Sequence, residues 1–150
     1  MGGLYFQEFK TGQVFRHEVR RTVTESDNIM FSTMTCNPAA IHIDADYCKT
    51  TEFGKPLINS VFTLGVVIGL SVIDTTFGTT VGNLGWEEVR FPKPVFAGDT
   101  IRSETLVVDL RASRSRPGQG IVKFEHRGFN QHGDEIAYCR RSALIMARPA

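Results

Sequence analysis

The sequence predicts an α+β fold: one long buried helix wrapped by an antiparallel sheet of about five strands. Three observations carry this expectation. The stretch NSVFTLGVVIGLSVID, residues 59–74, is almost wholly apolar and of helical length. After Thr76 the pattern changes to period-two alternation, in runs separated by turn residues. Those turns are short, so consecutive strands become antiparallel neighbours. With 41% hydrophobic and 22% charged residues among 150, the chain has the material for one domain with a sizeable core, expected over 1–150.

Residues 13–23 alternate imperfectly and suit a first strand. Thr24-Glu25-Ser26-Asp27 marks a helix start, with Thr24 able to cap and two acids near the positive end of the dipole. That helix runs to about Met34 and is stopped by Asn37-Pro38. Residues 44–49 suit one short helical turn, and Gly54-Lys55-Pro56 a loop. Asn59 or Ser60 caps the central helix, whose apolar residues cover nearly all faces and predict burial on most sides. Gly65 and Gly69 share one face of it; glycine weakens a helix, so close approach of another backbone is the expected reason. Strands follow at 81–91, 100–110, 120–130 and 135–146, with turns at Gly98-Asp99, Arg116-Pro117-Gly118 and His132-Gly133-Asp134. The last three strands should form a meander.

Charge and cysteine usage exclude several classes. A net charge of +1 gives no argument for nucleic acid. Cys36, Cys48 and Cys139 are an odd set without a CxxC spacing, which fits a reduced, cytoplasmic protein better than a disulfide scaffold or zinc site. The apolar stretch 61–73 is too short to span a bilayer, and the N-terminus lacks the charged-then-apolar order of a secretory signal. No membrane association is expected.

The stretch TCNPAAIHIDADYC, residues 35–48, carries the chemistry. It sets His42 after an Asn-Pro turn, on an expected loop, and just ahead of the central helix. An imidazole titrates near neutrality, and a helix N-terminus stabilises developing negative charge. Together they are equipment for acid–base work at a carbonyl. His17, His126 and His132 show no spacing that points to a metal and read as surface or structural. Asn59, Ser60 and Val61 open the helix and offer its free N–H groups.

Two segments resemble the MaoC-like dehydratases, the family that includes R-specific enoyl-CoA hydratases. They are AIHIDADYCKTTEFGKPLINSVFTLGVVIGL and VRFPKPVFAGDTIRSET, and their order and spacing extend the resemblance over nearly the whole chain. A narrower likeness, in TTVGNLGWEEVRFPKPVFAGDT, SRSRPGQGIV and GFNQHGDEIAYCRRSAL, is to the branch acting on mesaconyl-CoA, itaconyl-CoA or related dicarboxyl thioesters. The resemblance implies a hot-dog fold that pairs as a homodimer or an assembly of dimers, and an acyl-CoA substrate. It implies a hydro-lyase that adds water across an enoyl thioester, with CoA as part of the substrate and no metal or other cofactor. His42 becomes the catalytic base, with Asn37 or Asp44 orienting it or the water. Asn59, Ser60 and Val61 become donors to the thioester carbonyl. Arg114 and Arg116 become binders of CoA phosphates or of a second carboxylate, which guanidinium geometry suits.

One departure stands out. The family usually carries Asp-x-Asn-Pro-x-His, with the Asp sharing the handling of water. Here the residue five before His42 is Asn37, and Asn-Pro lies two residues earlier. An amide takes no proton from water, so the two-group mechanism does not carry over. A thioesterase and a non-catalytic acyl-CoA binding module therefore remain alternatives, and fold alone does not separate them.

Overall fold

The alternating half of the chain becomes a sheet and the apolar helix lies across it. In the computed structural model, which describes residues 2–149, a 3-10 turn (Phe6–Glu8) precedes two short strands, β1 (Val14–Arg16) and β2 (Arg21–Thr22). Then come α1 (Glu25–Met34), two one-turn helices, α2 (Ala40–Ile43) and α3 (Ala45–Cys48), and the central helix α4 (Ser60–Thr75). Four long strands complete the chain: β3 (Thr80–Arg90), β4 (Thr100–Ala112), β5 (Gln119–Phe129) and β6 (Glu135–Met146). The expected domain 1–150 includes Met1 and Ala150, which lie outside the described residues.

The sheet order is β1-β4-β5-β6-β3, with β2 also pairing β4, and every pairing is antiparallel. The meander expected from the short turns is therefore present as β4-β5-β6. The chain reaches β3 by crossing the sheet along α4, so β3 pairs with β6 and its other edge is free of any strand among the described residues. One apolar cluster joins Val66 and Val67 of α4 to Val23, Ile58, Val95, Ile101, Ile136 and Ala137. A second, around Phe124, Val107, Val122 and Ile145, is roofed by the N-terminal segment through Phe9, Leu4 and Phe6. Gly128 lets α4 settle on β5, because a Cβ there would collide with Val67.

Three expectations need correction. The first strand is broken: between β1 and β2, His17 turns inward and is buried. Its ring nitrogens lie 2.7 Å from Asp74 Oδ2 and 2.8 Å from Thr105 Oγ1, while its backbone N–H still reaches Ser103 O of β4 at 3.2 Å. Second, α4 is not buried on most sides; Val61, Gly65, Gly69 and Ile73 form an exposed stripe. Third, among the described residues nothing beyond the adjoining residues and local backbone of α4 itself comes within 4 Å of a Cβ built on Gly65 or Gly69, so no other backbone segment among them approaches the two glycines.

Candidate active site

The loop around His42 is built by local hydrogen bonding. Helix α1 ends with Cys36 in the left-handed region, at φ 57°. There the Cys36 N–H reaches Thr33 O at 3.0 Å and the Asn37 N–H reaches Ser32 O at 2.8 Å, a pairing that usually has glycine at the turn. Pro38 cannot continue the helix. The Asn37 side-chain oxygen then accepts the Ala39 N–H at 3.0 Å, a turn that opens α2. His42 is thus on a one-turn helix and not on a loop. Asp44 closes α2 and caps α3, its Oδ1 accepting from the N–H groups of Asp46 and Tyr47. The buried Cys48 thiol faces the carbonyls of Ala40 and Ile41, and burial raises its pKa. Asn37 and Asp44 therefore serve backbone N–H groups, and neither hydrogen-bonds the His42 ring.

The ring of half-buried His42 has a defined partner. Its Nδ1 lies 2.7 Å from Leu57 O. A carbonyl only accepts, so Nδ1 carries a hydrogen, and in the neutral ring the lone pair is on Nε2. That is the tautomer a general base needs.

The start of α4 can be accounted for amide by amide. The Asn59 N–H goes to Asn28 Oδ1 at 2.8 Å, and the Val61 N–H to Asn59 Oδ1 at 3.0 Å. Of the three expected donors, Ser60 alone keeps an N–H without an acceptor among the described residues. An apolar cavity of about 230 Å³ opens beside it, lined among others by Phe53, Leu57, Ser60, Thr63, Phe91 and Val95. Leu57 thus belongs to the cavity wall and also holds the imidazole. Lys93 reaches the same cavity, in an ion pair with Asp134.

Arg114 and Arg116 are placed elsewhere. They lie in the β4–β5 turn, past Ala112, whereas the site adjoins the Thr100 end of β4 through Val23, Asp99 and Phe96. The strand between those ends is about 40 Å long at 3.3 Å per residue. Within one chain the two arginines are not brought to His42.

One residue of the site escaped the sequence reading. Asn28, on α1, is 1% exposed. Its Nδ2 donates to His42 O at 2.8 Å and to Leu57 O at 3.0 Å, while its Oδ1 takes the Asn59 N–H. The available signal was spacing. Asn28 and Ser32 stand four apart on one helix face, and it is this polar face that is buried, while Met30 and Met34 point to solvent.

A profile described as MaoC like domain matches residues 6–128 of the chain. Mesaconyl-CoA hydratase of Cereibacter sphaeroides is 27% identical over 97% of this chain and 42% of its own length. An (R)-specific enoyl-CoA hydratase of Rhodospirillum rubrum is 26% identical over 71% of each chain. Among solved structures, a Mycobacterium tuberculosis protein described as having a double hot-dog fold superposes with a TM-score of 0.88. It is 27% identical, over 99% of this chain and 46% of that one. The chain spans about two-fifths of the length of the mesaconyl-CoA hydratase it matches.

Proposed function

The chain belongs to the MaoC-like domain family, with that family's hot-dog fold, and from this premise we propose that it hydrates an enoyl-CoA. Relatives named as hydratases and dehydratases support the reaction class. The carrying observation is that Leu57 both holds the His42 ring and lines the cavity at which Ser60 opens α4. Leu57 O holds Nδ1–H, so the neutral His42 ring has its lone pair on Nε2, and three residues on from Leu57, Ser60 N–H opens α4. In the proposed reaction, His42 Nε2 takes a proton from water as its oxygen bonds to the β-carbon. The developing enolate oxygen is held at the start of α4 by Ser60 N–H and the helix dipole. The resulting imidazolium returns the proton to the α-carbon, so one group serves both transfers. No carboxylate is required at position 37.

The cavity beside Ser60 is lined mostly by apolar groups and suits a short acyl chain. A branched or dicarboxylic acyl group, of the mesaconyl-CoA or itaconyl-CoA kind, is the proposed substrate. The relatives named for mesaconyl-CoA support it. We further propose that two copies pair. An eleven-residue edge strand, β3, exposes Val81, Leu84, Trp86 and Val89, and α4 exposes its glycine stripe; both faces suit a second copy.

The test is product identity over a small panel of enoyl-CoAs that includes mesaconyl-CoA. Hydration removes the enoyl absorbance and leaves the thioester whole. Release of free CoA thiol would make the protein a thioesterase, and binding with neither change would make it an acyl-CoA binding module. His42→Ala should lower hydration by roughly 10²-fold or more, the usual scale for a general acid–base group, with an unchanged circular-dichroism spectrum. Near-normal turnover by that variant would remove His42 from the chemistry.

A further inference from the structure

Asn28 sits where a buried amide is hard to explain by packing alone. It occupies the inner face of α1, almost fully excluded from water, in a helix whose apolar Met30 and Met34 point outward. A carboxamide has two donor hydrogens and one strong acceptor oxygen, and here all three are used. Both Nδ2 hydrogens go to carbonyls, of His42 and of Leu57, and Oδ1 receives the Asn59 N–H.

The choice of those three groups is informative. Leu57 O accepts twice, from Asn28 Nδ2 at 3.0 Å and from His42 Nδ1 at 2.7 Å. Asn28 Nδ2 also holds the backbone carbonyl of His42 itself. The result is a closed cycle: His42 ring, Leu57 O, Asn28 amide, His42 O. It fixes the ring relative to its own backbone. The remaining contact sets the residue that caps α4, and so the direction of the next N–H, that of Ser60. The three groups that the Asn28 side chain joins lie 14, 29 and 31 residues along the chain from it.

We propose that Asn28 is a positioning residue for the reaction: it locks His42 in the Nδ1–H tautomer and registers the base against the Ser60 amide. This rests on the hydratase reading for its kinetic consequence, but its effect on the imidazole does not. Without the amide, Leu57 O loses one of its two donors, and the segment between α3 and α4 that carries it is held by fewer bonds. A displacement of an ångström at such a support costs up to about 10²-fold in rate without contact to substrate. Asp at this position keeps the acceptor for Asn59 N–H but turns a carboxylate toward two carbonyls. Ser keeps one donor and leaves room for relaxation.

The experiment is ¹⁵N NMR of the histidine rings, with His42→Ala used to assign the His42 signals, alongside enoyl-CoA hydration. In the unaltered protein, His42 Nδ1 should be the protonated nitrogen and Nε2 the bare one. In Asn28→Asp and Asn28→Ser the Nδ1–H population should fall, and kcat should drop at least about tenfold with KM within about threefold. A His42 found as the Nε2–H tautomer in the unaltered protein would overturn the proposal with no variant needed. A folded variant with an unchanged tautomer and unchanged kcat would reduce Asn28 to a packing role. A tautomer change in the variants, with no enoyl-CoA hydrated by any form, would uphold the positioning and remove the hydratase reading instead.

Discussion

At the residue scale the question is what replaces the missing carboxylate. Asn37 is five before His42, yet its side-chain oxygen accepts the Ala39 N–H and opens α2. A carboxylate would accept the same N–H as well or better. Asn37→Asp should therefore keep the turn, leaving hydration within about threefold of the parent, since the added charge would serve a backbone amide and no water. Rates and pH profiles of the two proteins check this. A clear gain in rate with an upward move of the pH optimum would show a carboxylate acting beside His42, because an anion favours the imidazolium. The arginines suspected of binding substrate illustrate the opposite case. Their chemistry was suitable, and their place in the fold removes them from this chain's own site.

At the element scale, a chain of polar side chains ties the end of α4 to three strands. Arg141 Nε donates to His126 Nε2 at 2.9 Å, which leaves the His126 hydrogen on Nδ1, 2.8 Å from Thr105 Oγ1. The Thr105 hydroxyl can then donate to His17 Nε2, and His17 Nδ1–H to Asp74. Arginine donates only, so it fixes His126 Nδ1–H as the donor to Thr105. Burial first, and then the neighbouring Arg141 and His17, hold His126 well below the usual imidazole range. The unfolded chain takes up that proton near pH 6.5 while the native one does not. Stability should be complete above about pH 6.5 and fall as the pH drops below it, by up to about 1.4 kcal/mol per unit. Urea midpoints between pH 7 and pH 5 measure this, and His126→Gln should flatten the slope. An equal slope in the variant would place the acid sensitivity elsewhere.

At the scale of the whole molecule, the unpaired side of β3 and the exposed stripe on α4 are the features a single copy leaves unexplained. An edge strand with outward Leu84 and Trp86 invites pairing, and a helix with two glycines open to solvent gains nothing from them alone. If a second copy covers these faces, sedimentation at micromolar concentration should give twice the 16.7 kDa chain mass. Leu84→Lys should shift the protein toward the single-chain mass, because a charge on an edge strand opposes pairing. A parent protein sedimenting only as the single chain would exclude the pairing. It would also leave Gly65 and Gly69 without the neighbour that their position asks for.

The sequence by itself determined the elements whose causes are local. Apolar length marked α4, alternation marked the four long strands, and Thr24 and Asn59 marked helix starts that the structure caps as expected. The same local reading singled out His42 and the start of the central helix as candidates, because an Asn-Pro turn and a capping residue act on their immediate neighbours. It could not see which groups would meet from distant parts of the chain. That α1 would bury Asn28 and Ser32 and expose its methionines depends on what lies opposite it. That His17 would break the first strand depends on Thr105 and Asp74, far along the chain. Which of three neighbouring amides stays free depends on where Asn28 and Asn59 send their oxygens. Short-range geometry is written in residue order, whereas a buried polar group takes whatever partner the packed fold brings within 3 Å.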